Sequence, residues 1–222
     1  MDFSGPDATD LANVESLNRA FLRCLRNASH GRQLRQQLVP AIRPVLERLT
    51  DLQIDHLAVV PFLLLSLRER DDDYWHVLFG DEANMDLLPV ADAHRNTAQL
   101  VAAELAFLWA LARRNAYAAR LVSGAPLNWC EHLADSTLFR LLERTHDRCD
   151  LPQPRLAANE SFWSKLLGPG LSVESEVRRA AHLAALQSIL TVDPTARYRP
   201  MRAAACRTQV PSLRVADKNK RP

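Results

Sequence analysis

Four residues carry the sharpest chemical hypothesis in this sequence. Cys130 and His132, followed by His146 and Cys149, form a C-x-H…H-x-x-C pattern. Zinc takes four such nitrogen and sulfur ligands tetrahedrally. His146 and Cys149 stand about one helical turn apart and could chelate. Cys130 and His132 are two positions apart, so on a helix they point about 200° from each other. That pair could ligate only from a loop, whereas the periodicity around it predicts a helix. A buried cysteine and separate surface histidines are the simpler reading, so neither a metal nor a cofactor is expected.

The other constellations are weaker. Asp71, Asp72, Asp73, Asp81 and Glu82 offer oxygens to a divalent cation, but calcium loops alternate their ligands around a turn glycine. These acids are consecutive instead, and they sit where they could cap the positive end of a short helix. Glu69 and the three aspartates lack a basic or nucleophilic partner at telling spacing. No serine stands in G-x-S-x-G, and no glycine loop could cradle a phosphate. Cys130 and His132 cannot pair as nucleophile and base within one helix. An enzyme would need a site assembled only by the fold.

Charge suggests contact rather than catalysis. The net charge of +2 hides an asymmetry. From Thr195 onward eight cations, Arg197, Arg199 and Arg202 among them, face the single Asp217, a net of +7, while residues 1–194 carry −5. A second basic stretch, Arg19 to Arg48, has seven arginines and one Glu. In it Arg19, Arg23 and Arg26 share one helix face at spacings of four and three, with Arg32 and Arg35 beyond. Arg19, Arg23, Arg26, Arg197, Arg199 and Arg202 are the expected partner-binding residues. A solvated helix surface is the bland alternative for the first three. Arg outnumbers Lys 25 to 3, a bias that a GC-rich coding genome explains as well as anion recognition does.

The elements that would position these residues are helical. Ala, Leu and Arg dominate, β-branched runs are nearly absent, and only six glycines occur, a composition of strong helix formers. The apolar spacing throughout is three and four. The stretch Thr97 to Ser123 predicts a helix about 40 Å long. Val101, Leu105, Leu108, Trp109, Ala112, Ala116 and Ala119 make one charge-free arc on it, and Leu100, Phe107, Leu111 and Ala118 a second stripe. A helix apolar on two sides packs between neighbours. Around it the sequence predicts helices over 10–27, 52–59, 62–70, 74–79, 127–134, 138–146, 159–167 and 173–190. Two short segments stepped by Pro40 and Pro44 lie between the first and second of these. Residues 81–95 read as a loop and 147–158 as a turn-rich connection.

The fold class is therefore all-α: a multi-helix bundle, or two stacked helical pseudo-repeats around the central helix 97–123, with disordered termini. Residues 1–9 and the basic tail 194–222 form those termini, and 10–193 a single helical domain. The repeat reading rests on an echo between about 50–111 and 126–190. DYWHVLFG at 73–80 resembles SFWSKLLG at 161–168, and Asp55-His56-Leu57-Ala58 resembles Glu131-His132-Leu133-Ala134. Chance similarity between Leu- and Ala-rich helices explains the echo equally well. Trp75, Trp109, Trp129 and Trp163 are most simply packing residues.

Four scattered cysteines do not make a disulfide framework in a chain this long. The first ten residues carry acids where a signal peptide needs basic and then apolar residues. The longest apolar run free of formal charge, His56 to Leu67, is too short to span a bilayer. The expectation is a non-catalytic helical interaction protein, an adaptor or regulatory subunit of the bacterial cytoplasm, with a protein partner and no membrane. The alternative is a nucleic-acid-binding regulator that uses the basic tail. A second alternative is the enzyme with a fold-assembled site.

Overall fold

The structure is a computed structural model that describes residues 5–27, 29, 31–80, 95–146 and 148–191. The basic tail, with Arg197, Arg199 and Arg202, lies outside the described residues, and so does the loop expected over 81–95 except for Arg95, which belongs to a helix. Among the described residues the fold is all-α. In chain order the helices are α1 (Ala8–Arg26), α2 (Arg32–Gln37), α3 (Arg43–Glu47), α4 (Asp51–Ala58), α5 (Asp72–Gly80), α6 (Arg95–Arg114), α7 (Ala116–Ser123), α8 (Leu127–Asp135), α9 (Leu138–Thr145), α10 (Glu160–Leu167) and α11 (Ser175–Leu190). A 3₁₀ turn, Pro169–Leu171, precedes α11.

Most helix starts follow from local capping. The Thr50 hydroxyl accepts from the Gln53 amide, and Gln53 reaches back to the Thr50 N–H, a closed capping box on α4. Asn159 caps α10 through the Phe162 amide, and Thr137, rather than the expected Asp135 or Ser136, caps α9. At the N-terminus Asp7 and Asp10 form a reciprocal box. The first helix therefore starts at Ala8, and residues 8–9 belong to it rather than to a loose terminus.

Three expectations fail. The central helix 97–123 is two helices. The Asn115 side chain accepts from the Ala118 amide, and its extended backbone ends α6 and opens α7. Asn competes with the helix in this way because its short amide mimics a backbone acceptor. The helix expected over 62–70 is absent. Residues 61–70 instead pass through bends into β1 (Leu65–Ser66), which pairs antiparallel with β2 (Gln153–Pro154), and leave it through a turn at 69–70. The third is the face of α11. The spacing of Val177, Ala180, Ala181, Ala184 and Leu186 predicts that side to face inward; Ala181 is buried, but Val177 and Ala180 are exposed, and His182, Ala185 and Ile189 are buried instead.

The extended segment organises the core. Phe62, Leu64 and Leu65 belong to one cluster with α1, α2, α4, α10 and α11, which includes Phe21, Leu25, Trp163 and Ile189. Leu63 and Leu67 belong to a second with α5 to α9, which includes Trp75, Leu108, Trp129 and Leu133. A buried extended chain needs donors and acceptors from elsewhere. Asn18 of α1 supplies them: its Nδ2 donates to Phe62 O at 2.8 Å and Ala58 O at 3.3 Å, and its Oδ1 accepts from the Leu64 amide at 2.8 Å. The Leu63 amide donates to Val122 O at 2.8 Å. Each half of the molecule is thus stitched to the same strand.

The stretches of the internal echo fall on helices, but the elements between them differ. α4 and α8 correspond, and so do α5 and α10, whose Trp75 and Trp163 are both buried. Phe62, Leu63 and Leu65 are extended, whereas Leu138, Phe139 and Leu141 are helical, so the intervening elements differ.

Candidate functional site

The zinc candidates are not gathered. Cys130 sits on the buried face of α8, fully enclosed, while His132 on the same helix is exposed. His146 is exposed just past α9, and Cys149 is half-buried. No group of three His, Cys, Asp or Glu that could hold a metal occurs among the described residues. Asp72 and Asp73 occupy the first turn of α5. Asp71 accepts from the Tyr74 amide at 3.1 Å and from the Arg68 guanidinium. That cluster caps a helix.

The basic N-terminal face is largely spent on its own chain. Arg19 bridges Glu15 at 2.7 Å and Asp55 at 2.8 Å, which raises its pKa. Arg26 meets Asp51 at 2.9 Å and donates to Leu49 O. Arg35 is buried, donates to the carbonyls of Leu25 and Asn27 that end α1, and pairs with Glu47 at 3.1 Å. These contacts pin α2, α3 and α4 to α1. Arg23 and Arg32 stay exposed, and Arg23 lines a groove with Cys24, Asn27, Gln99 and Leu100.

The fold assembles a buried polar centre that spacing alone does not announce. Arg155, just after β2, donates to the carbonyls of Leu63 and Leu65 and pairs with Glu69 at 2.9 Å. Glu69 also accepts from the Ser66 hydroxyl. Both Glu69 oxygens and the Arg155 Nε and Nη2 are therefore hydrogen-bonded, which a buried ion pair requires if it is not to destabilise the fold. Arg70 leaves this centre to donate to Gly124 O at 2.8 Å and Ile189 O at 3.4 Å. Burial lowers its pKa, against the pull of Glu69. Arg68 adopts a left-handed φ of 56° and lies 4.1 Å over the Tyr74 ring.

Glu104 of α6 borders this centre. It is 1% exposed, and its Oε1 has no hydrogen-bond partner. Burial first, and the charge of Glu69 second, raise its pKa well above the ordinary value, with Arg155 opposing. The Cys130 thiol is likewise pushed up to about 12, by burial and then by Glu69. A thiol held protonated is a poor nucleophile. The centre positions the extended segment, and burial beside Glu69 raises the pKa of both Glu104 and Cys130. Glu104 could have been suspected from sequence: it stands three residues after Val101 and four before Leu108, on the face that packs inward.

The outer surface offers a different chemistry. Leu52 of α4 and Val59, which caps its end, are exposed, and so are Leu183 and Leu190 of α11. Val59, Pro61 and Leu183 meet in a groove of about 300 Å³ between the end of α4 and α11, rimmed by Ser175, Arg178, Arg179 and His182. His182 is buried, with its Nε2 3.2 Å from Gly170 O. Burial chiefly lowers its pKa, so the positive charge of this rim comes from the two arginines.

No helix among the described residues is long and apolar enough to cross a membrane. Comparison with family models, curated proteins and solved structures finds no match to this chain.

Proposed function

We propose that this chain is a helical protein-interaction module, an adaptor or regulatory subunit, working in the bacterial cytoplasm. The observation that supports it is the exposed apolar surface of α4 and α11. Leu52 is 66% exposed, Leu183 53% and Val173 92%. Large apolar side chains left in water, here Leu52 on α4, Leu183 on α11 and Val173 two residues before it, are available for burial against a partner. The buried centre supports the same reading from the other direction, because Glu69 and Arg155 are satisfied within the chain and Cys130 is a high-pKa thiol. The intramolecular pairing of Arg19 and Arg26 turns attention from the N-terminal basic face to the α4–α11 side. The nucleic-acid reading rests on Arg197, Arg199 and Arg202, outside the described residues, and gains nothing from the folded part.

The test is quantitative affinity capture from cells that express the tagged full chain at native level, with light scattering on the purified protein. The reading expects a partner recovered in near-stoichiometric amount. A chain that comes through alone and monomeric at every salt concentration overturns it.

A further inference from the structure

We propose that the junction of α4, the 3₁₀ turn and α11 is an acid-operated latch, which the imidazole of His182 holds shut while neutral and releases when it takes a proton. No partner is involved in it, so it stands or falls apart from the interaction reading above.

Few contacts hold this junction. The 3₁₀ turn Pro169–Leu171 lies against α4, α10 and α11. Two side-chain hydrogen bonds tie the stretch to α11: His182 Nε2 meets Gly170 O at 3.2 Å, and Arg178 Nη1 donates to Ser172 O at 2.7 Å. The His182 ring packs directly on the turn, where a β-carbon added at Gly170 would lie 3.5 Å from its Cδ2 and Nε2. α11 opens at Glu174 without a side-chain cap, and residues 173–177 are exposed. An uncapped helix start in water is a place where local opening is easy. Farther along, Ala185 and Ile189 sit in the first core cluster, so the end of α11 stays anchored when its beginning moves.

A proton on His182 strains this junction because of what surrounds the ring. The side chain is 5% exposed. A carbonyl only accepts, so Nε2 carries the hydrogen bonded to Gly170 O, and a second proton goes to Nδ1. Nδ1 has no hydrogen-bond partner among the described residues. The new charge meets other cations. Arg178 stands one turn back on the same helix, and His56 acts from α4. Among the described residues no carboxylate pairs with the ring. The 3₁₀ turn has no ionisable side chain, and residues 59–63 are all apolar. Glu160 and Lys165 of α10 are exposed. Asp51 and Asp55 of α4 hold Arg26 and Arg19. Glu174 and Glu176 are exposed and lie roughly 9–12 Å back along the helix axis. Burial above all lowers the His182 pKa; the hydrogen bond to Gly170 O opposes this, and Arg178 and His56 add to the lowering. The ring therefore binds a proton more readily once the junction opens. The closed form is fully favoured above about pH 6.5 and loses ground as pH falls from there toward the folded pKa. The groove beside Val59, Pro61 and Leu183, which His182 helps to line, gives solvent protons a route to it.

The test is hydrogen exchange by mass spectrometry on the full chain between about pH 7.5 and about pH 5, corrected for intrinsic rates, beside an NMR titration of its histidines. Peptides covering 168–182 should lose up to about tenfold in protection for each pH unit below about 6.5, while those of α6 and α8 keep theirs. His182 itself should titrate below about 6.5. His182→Gln keeps an N–H for Gly170 O and cannot charge, so its 168–182 protection should not respond to acid. His56→Gln removes a cation from the junction and should raise the His182 midpoint. Should His182→Gln fail to fold, the parent titration and His56→Gln still decide. A His182 midpoint at or above about 6.5, or one that His56→Gln leaves unmoved, overturns the proposal. So does protection of 168–182 that is indifferent to pH, or an acid response that survives in His182→Gln. Loss of protection in α6 and α8 at the same pH as in 168–182 would be global unfolding and equally overturns it.

Discussion

Replacing Glu104 by Gln should change how stability depends on pH, more than it changes stability at any one pH. The carboxyl is 1% exposed with an unpartnered Oε1. Burial, reinforced by Glu69, raises its pKa well above 4.5. The folded chain therefore keeps a proton that the unfolded chain releases once pH passes about 4.5. Below that pH both states are protonated and Glu104 costs nothing electrostatically. As pH rises, the unfolded state binds fewer protons, so stability falls by about 1.4 kcal/mol per pH unit until the folded carboxyl itself titrates. Gln has the same shape and no proton to lose. The stability of the variant minus that of the parent should therefore climb as pH rises above about 4.5, and level off once the folded carboxyl titrates. Urea unfolding followed by fluorescence of the buried Trp75, Trp129 and Trp163 measures this at constant ionic strength, with equal m-values as the check on two-state behaviour. An offset already present below about pH 4.5, where both states are protonated, would report only how well the amide finds partners. Parallel curves across the whole range would refute the reasoning, because they would mean that the Glu104 carboxyl ionises in the fold as freely as out of it.

Three other perturbations follow from the packing. Leu108→Ala should destabilise the fold by about 2–5 kcal/mol in urea unfolding, because Leu108 is fully buried in the second core cluster. Arg155→Met should cost about 3–5 kcal/mol, since it strands Glu69 in the interior and removes the donors to Leu63 and Leu65. Adding Glu69→Gln to that variant should recover part of the loss, and an additive double variant would count against a coupled pair. Gly124→Ala should cost at least about 1–2 kcal/mol. Gly124 closes α7 at a φ of 64°, and a β-carbon there would collide with the Ile189 side chain. A melting temperature equal to the parent's would show that the helix end relaxes freely.

Capping and helical period were legible in the residues themselves, because both are local. Thr50 with Gln53, Asn159 before Glu160, and Gly124 before Pro126 each mark a helix end within a few residues of chain. So α4, α7's end, α8, α10 and α11 fall close to where their sequences place them. The break at Asn115 was equally local, yet a run of Ala and Leu on both sides outweighed one capping side chain in the reading. What the local signal could not settle was the state of 61–70. A short apolar run such as Phe62 to Leu67 suits a buried strand and a buried helix alike. The choice falls to partners far along the chain: Asn18 from α1 and Arg155 after β2 supply the donors and acceptors that an extended segment lacks. The same holds for which side of α11 faces in. Ala, Val and Leu lie all around that helix, so its own sequence leaves the rotation open, and Ala185 and Ile189 are chosen by the room beside Phe62 and Trp163. The groove beside Arg179 and the burial of Glu104 are products of those long-range choices. The residue types were readable from the start; their burial, their charge state and their neighbours were decided only when the strand between the two cores was in place.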